Sequence, residues 1–234
     1  MRVLVAGGAG DVGRMVVPVL ARHHQVRVLD LRPPEGEVEF IEGSVTDQAA
    51  VEKAARDQDA VVYLAMGRKT GWRDGPAWVA SHFAVNVTGP HVTLETCARA
   101  GVRQAVYASS MSVFADYTTR DYTADPAPDA TDAYGLTKRL GEQVCEAASR
   151  EHGLAVTALR LVGPMPDEEW HAYRGERREL VTAGSDVAAA FLAALARTEP
   201  GFAAYTITGD HDRLTLDWTP AFTALGWRPR ARRS

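Results

Sequence analysis

Apolar positions along this chain fall into two spacings. Short unbroken runs occur at Arg2–Ala6 (RVLVA), Val26–Leu29, Val38–Ile41, Ala60–Ala65 (AVVYLA), Arg103–Ser109 (RQAVYAS) and Ala155–Leu161. Between them lie longer stretches with apolar residues every three or four positions. Asp11–His23 carries Val12, Val16, Val19 and Leu20 on one stripe, and similar segments run from about Asp47 to Arg56, from Pro76 to Ala100 and from about Ala133 to His152. The unbroken runs predict strands buried on both faces, and the spaced segments predict helices. Strand and helix alternate, which implies a parallel sheet covered on both sides: an α/β, doubly wound, Rossmann-type architecture. No repeat or low-complexity linker divides residues 1–234, so one domain is expected. Two long polar loops, Met66–Gly75 and Ala115–Thr131, follow strand ends on the edge where such sheets bind ligands.

The first loop carries the first chemistry. VLVAGGAGDVG reads as strand, then Gly7-x-x-Gly10-x-x-Gly13, then helix. Glycines there allow a tight turn and close approach of a diphosphate to backbone N–H groups at a helix N-terminus. Asp11 and Val12 belong to the same turn. Asp11 is an awkward neighbour for phosphate, so it is expected to point away or to be offset by Arg14. Asp30 ends the second strand, where a carboxylate accepts hydrogen bonds from an adenosine ribose and repels a 2′-phosphate. The expected cofactor is therefore NAD rather than NADP, with Arg32 close enough to complicate the choice.

Composition excludes more than it adds. The formal net charge of −4 gives no footprint for nucleic acid. The basic end RPRARRS reads as a solvated tail. Cys97 and Cys145 form no CxxC or disulfide framework, no stretch reaches 18 apolar residues, and the N-terminus lacks signal-peptide character. A soluble cytoplasmic protein with no membrane span is expected. None of the seven histidines has metal-ligand spacing, so no metal is expected, and His23–His24 reads as a cap on a helix C-terminus.

A second cluster points to proton transfer. In DAYGLTKRLGE, Tyr134 and Lys138 stand four residues apart and so share one helix face. A phenol titrates near ~10, and a nearby ammonium favours its phenolate. YASSMSV ends a strand with Ser109, Ser110 and Ser112, any of which can hydrogen-bond a substrate oxygen beside Tyr134.

With GGAGDVG, Asp30, YLAM, NVTG, SSMSV, YGLTK and LRLVGP in this order, the chain resembles the extended short-chain dehydrogenase/reductase family, the NAD-dependent epimerase/dehydratase group. SDVAAAFLAAL, YTITGD and ALGWRP resemble its C-terminal pattern. The resemblance implies Tyr134 as catalytic acid–base, Lys138 as its activator and ribose anchor, and Ser110 as substrate orienter. It implies further cofactor contacts at Ser44, Val45, Leu64, Ala65, Met66 and Val162, and a homodimer through the helices carrying NVTG and YGLTK. The chain departs from the family pattern at Ser44, where an adenine-holding Asp is usual, at Pro90 in place of Thr, and at VFA in place of VYG.

Met111 and Ser112 replace the Asp–Glu pair of the dehydratase branch, which sets dehydration aside. Hydride transfer to or from a secondary alcohol or carbonyl of a sugar-like small molecule is the expected reaction. A nucleotide-sugar epimerase with tightly bound NAD and a non-catalytic NAD(P)-binding sensor remain as alternatives. After Pro164 only a reduced substrate lobe fits, built from residues 163–185 and 208–234. Such brevity is similar to uronate dehydrogenases. Arg174, Arg177 and Arg178 are candidate carboxylate holders, Trp72 a candidate sugar-stacking residue and Ser112 a further substrate contact.

Overall fold

The protein is described by a computed structural model over residues 1–71, 75–117 and 127–233. Its strands are β1 (Arg2–Ala6), β2 (Gln25–Asp30), β3 (Glu39–Glu42), β4 (Ala60–Tyr63), β5 (Gln104–Ser110), β6 (Ala155–Leu161) and β7 (Gly201–Ile207). Its helices are α1 (Asp11–Ala21), α2 (Gln48–Ala55), α3 (Gly75–Phe83), α4 (Gly89–Arg99), α5 (Ala133–His152), α6 (Asp167–Ala172), α7 (Gly184–Ala194) and α8 (Thr219–Leu225). The strands form one parallel sheet in the order β3-β2-β1-β4-β5-β6-β7. Strand order reverses between β1 and β4, and crevices at such a switch point hold ligands.

Side chains on successive strand residues point to opposite faces, so each strand feeds two cores. Val3, Val5, Val28 and Val62 pack with Val16, Leu20, Val187 and Phe191 of α1 and α7. Leu4, Leu29, Val61 and Tyr107 pack with Val51, Leu94, Cys97 and Cys145 of α2, α4 and α5. A smaller cluster joins Met111, Val113 and Phe114 to Val162, Leu180 and Leu216 near the C-terminal ends of β5 and β6.

Three expectations change. The single helix Pro76–Ala100 is two helices, α3 and α4, joined by one π turn at Ala84–Thr88. Pro90 has no N–H to continue the α ladder, and Gly89 lets the turn sit against β4, since a Cβ there would lie 2.1 Å from the Tyr63 hydroxyl. Secondly, Gly201–Ile207 is a seventh strand that apolar runs alone did not mark. Only Ile207 in it is fully buried, so its signal is the weak one of an edge. Thirdly, His23 and His24 cap α1 through their backbone N–H groups, both donated to the Leu20 carbonyl, rather than through their rings.

The basic tail keeps Arg228, Arg230 and Arg232 exposed, as expected of a solvated segment, but its backbone is anchored. Asp186, at the start of α7, accepts the Arg230 N–H at 2.9 Å and the Ala231 N–H at 3.0 Å. The His211 ring bonds the Ala231 carbonyl at 2.7 Å, and Arg233 donates to the carbonyls of Tyr173 and Arg178 while lying 4.3 Å from the Trp170 ring centroid. Asp186→Ala leaves two tail amides without their acceptor. We expect a loss of about 1–3 kcal/mol in denaturant unfolding, together with new tryptic cuts after Arg230, Arg232 and Arg233. A tail that stays resistant in the variant would show that its anchoring lies elsewhere.

Candidate active site

The glycine loop begins where β1 meets β4. Gly7 has φ +88°, and a Cβ on it would sit 2.3 Å from the Ala65 backbone N. A Cβ on Gly13 would sit 2.1 Å from the Gly8 carbonyl oxygen, which fixes how α1 leaves the loop. Both glycines are therefore required by sterics. Gly10, in contrast, faces open space on its Cβ side beyond one 3.5 Å contact, and it caps α1 with its N-terminus free to receive an anion. A cleft of about 280 Å³ opens there, lined by Gly8, Ala9, Gly10, Asp11, Arg14, Arg32, Pro33 and Glu35. Val12 is half-buried against the α1–α7 core.

Asp30 braces this loop. One carboxylate oxygen accepts the Ala9 N–H at 2.9 Å and the other the Leu31 N–H at 2.7 Å. Arg32 donates to the Ala9 carbonyl at 3.3 Å. Asp11 forms an ion pair with Lys69 from the loop after β4, whereas Arg14 reaches Glu169 of α6 at 3.1 Å. The expectation that Arg14 offsets Asp11 is thus corrected, because Lys69 does so. Leu64 and Ala65 both donate their N–H groups to the Ala6 carbonyl, which places Leu64, Ala65 and Met66 beside the loop. Ser44 uses its hydroxyl within its own turn, on Thr46, and the Val45 side chain lies in the core. Val162 has both backbone groups engaged, its N–H with Ile207 and its carbonyl with Thr182.

The serines and the tyrosine come together through the start of α5. Asp132 caps that helix, accepting the N–H groups of Tyr134 and Gly135 at 3.2 Å. Gly135 packs so close to the Ser110–Val113 turn that a Cβ would lie 2.2 Å from the Ser112 carbonyl oxygen. Ser110 ends β5, accepts the Ser112 N–H at 3.1 Å and is half-buried, as are Ser112 and Tyr134. Ser109 points inward, donating to Glu142 at 2.6 Å.

Lys138 is 3% exposed. Its Nζ donates to the Ala108 carbonyl at 2.8 Å and lies 5.2 Å from the Tyr107 ring centroid. Burial lowers its pKa to about 8, with Cys145 and Glu142 acting in the opposite direction. The lysine therefore ties α5 to β5 two residues before Ser110, on the same helix face as Tyr134.

Trp78 and His82 were not singled out in the sequence, and Asn86 and Thr137 entered only as members of NVTG and YGLTK. Trp78, His82 and Asn86 follow one another at four-residue spacing and are all buried. His82 stacks on Trp78 with ring centroids 3.8 Å apart and meets the Tyr134 ring edge-on at 5.9 Å. Burial lowers the His82 pKa, the Trp78 carbonyl raises it and Lys138 lowers it, so the imidazole is held neutral. Asn86 accepts the Gly67 N–H at 3.3 Å and donates to Thr137 at 3.0 Å, and Thr137 donates to the Tyr134 carbonyl at 2.9 Å. The four-residue spacing was visible in the sequence, but only the fold shows that it faces Tyr134.

The arginines and Trp72 behave differently. Arg174 donates to the carbonyls of His171 and Tyr173, and Arg174, Arg177 and Arg178 are exposed. Arg177 alone among them acts on Tyr117, favouring its ionised form against burial, and Tyr117 packs on the Met111–Phe114 cluster. Trp72 lies outside the described residues. Away from this site, His152 meets Glu95 at 2.6 Å beside Glu151 and joins α4 to α5.

The model of the NAD dependent epimerase/dehydratase family matches residues 3–169. The chain belongs to that NAD-dependent family. It is 29% identical to L-arabinose 1-dehydrogenase (NAD(P)(+)) of Haloferax volcanii, covering 98% of this chain and 96% of that one. It is 30% identical to UDP-glucose 4-epimerase of Neisseria meningitidis serogroup C, covering 72% of this chain and 54% of that one. The chain thus spans about half the length of that epimerase. Uronate dehydrogenase from Agrobacterium tumefaciens shares the fold with a TM-score of 0.82 at 20% identity, over 98% of this chain and 84% of that one. Among the described residues no helix is long and apolar enough to cross a membrane.

Proposed function

We propose that this protein is an NAD-dependent oxidoreductase acting on a secondary alcohol or carbonyl of a sugar-like small molecule, with Tyr134 as acid–base. The observation that carries this reading is the packing of the first turn of α5 onto the Ser110–Val113 turn, at the same sheet edge as the glycine loop. The open Gly10 cradle and its cleft fit a dinucleotide diphosphate. When bound there, NAD supplies the hydride acceptor in oxidation and the reduced form the donor in reduction.

The chain's own residues handle the oxygen and the proton. Ser110 hydrogen-bonds the substrate oxygen and fixes its direction. Tyr134 takes the hydroxyl proton during oxidation and returns it during reduction. The ammonium of Lys138 favours the phenolate of Tyr134. In this reading Lys138 and Asp30 also hold ribose hydroxyls of the bound cofactor. The arabinose dehydrogenase, matched over nearly its whole length, supports net oxidation. Arg177, whose charge acts on Tyr117 beside the Met111–Phe114 cluster, is the arginine assigned to a substrate carboxylate in this reading.

The test is cofactor absorbance with purified protein across aldoses, uronic acids, secondary alcohols and UDP-sugars. NAD reduction with a free sugar or uronic acid is the expected result. Copurified NAD and isomerised UDP-sugar without net absorbance change would replace this reading with the epimerase. Tight NAD binding without turnover of any of these would replace it with the sensor. Arg177→Met should raise KM about tenfold for a uronic acid and leave a neutral aldose unchanged; equal effects on both would remove Arg177 from the substrate site.

A further inference from the structure

Behind the Tyr134–Lys138 pair lies a buried charge cluster that the reaction above does not use. Glu142 stands one turn beyond Lys138, as Lys138 stands one turn beyond Tyr134, so all three lie along one face of α5. Glu142 is 4% exposed. Arg160 of β6 grips it with a two-pronged contact, Nε to Oε1 at 3.0 Å and Nη2 to Oε2 at 2.9 Å, while Ser109 of β5 donates to Oε1 at 2.6 Å. Ser109 and Ser110 are consecutive, and Arg160 pairs with Ser109 across the sheet. One cluster thus binds the strand that presents the substrate-facing serine to the helix that presents the tyrosine.

We propose that Glu142, held by Ser109 and Arg160, is a positioning residue whose buried negative charge keeps Lys138 protonated and thereby keeps Tyr134 reactive. The inference rests on the reading of Tyr134 and Lys138 as the acid–base pair. Lys138 has lost its water, so it needs a nearby anion to stay charged. The titratable and charged groups around Lys138, Tyr107 and Glu142 come from five elements. Tyr107 of β5 and Tyr63 of β4 are neutral, since burial raises both pKa values. Cys145 of α5 is a neutral thiol for the same reason, and burial holds His82 of α3 neutral. Arg160 of β6 is a cation. Apart from Tyr134 itself, Glu142 is the anion in this set of described residues, and it favours the charged lysine.

The chain has three lysines, and Lys53 and Lys69 are exposed. Carbon-13 labelling at the lysine ε position therefore gives three NMR signals, and the one that titrates early reports Lys138 without any turnover. Glu142→Gln removes the anion and leaves Arg160, so the Lys138 midpoint should fall by about one pH unit. Arg160→Gln keeps an amide donor toward Glu142 but removes the opposing cation, so the midpoint should rise. The double variant should return close to the wild type.

Each single variant decides alone if the other fails to fold. An unchanged Lys138 midpoint in a folded Glu142→Gln protein, or no rise in folded Arg160→Gln, overturns the proposal. Shifts of the same sign in both would mark the cluster as a packing element only. The readout needs no substrate, so the dehydrogenase reading and this one can fail separately: absent turnover with opposite-sign shifts sinks only the former.

Discussion

Tyr134→Phe is expected to lower kcat about 10³-fold while leaving NAD affinity and unfolding free energy near their wild-type values. The ring is half-buried at the start of α5 and keeps its edge contact with His82 when only the hydroxyl is removed. Gly135 and Asp132 continue to set the helix start, since their contacts use the backbone. The substitution therefore subtracts a proton acceptor from an otherwise intact site. Cofactor titration by fluorescence, denaturant unfolding and initial rates with the substrate found in the screen measure the three quantities. A variant retaining more than a tenth of the wild-type kcat would show that another group moves the proton. A variant with weakened NAD binding and unchanged kcat would place Tyr134 at the ribose only.

Strand and helix spacing carried the fold because burial on both faces leaves a plain signature in an inner strand. The runs VLVA, AVVYLA and AVYA are apolar without alternation because β1, β4 and β5 feed both cores. The signature faded at the edge, where Gly201–Ile207 is only half-buried, and at Pro90, whose missing N–H is a local backbone effect that periodicity does not register. The glycine loop and the Tyr134–Lys138 pair were legible because each is a short spacing of particular residue types along the chain. His82 was not, since its meeting with Tyr134 depends on α3 crossing α5. The docking of RPRARRS was missed for a related reason: its hydrogen bonds to Asp186 run from backbone amides, which no side-chain pattern reveals. Charge alone suggested a solvated tail; the side chains of Arg228, Arg230 and Arg232 are exposed, while the backbone docks on α7.

Lys138→Met should make the cofactor-free protein more stable near neutral pH while removing its catalytic activity. Lys138 titrates at about 8 in the folded chain against 10.5 when exposed, and burial is the leading cause. Below pH 8 both folded and unfolded chains carry the proton, so the folded state bears the full penalty of a buried ammonium. By linkage that penalty is about 3 kcal/mol. Between the two values the unfolded chain binds more protons, so wild-type stability rises with pH through that window, and above it the penalty is gone. Methionine carries no charge and fills a similar volume, so its profile lacks this rise. Losing the bond to the Ala108 carbonyl offsets part of the gain, leaving a net ~1–2 kcal/mol at pH 7. Denaturant unfolding of both proteins at intervals from pH 6 to pH 10 measures the difference directly. It should be largest at the acid end and shrink toward zero or below as the wild type sheds its proton. Parallel curves would mean that the lysine is not carried as a buried cation, and the activation of Tyr134 would then need another source. The expected outcome instead places a destabilising charge at the centre of the site, where it is retained because the tyrosine requires it.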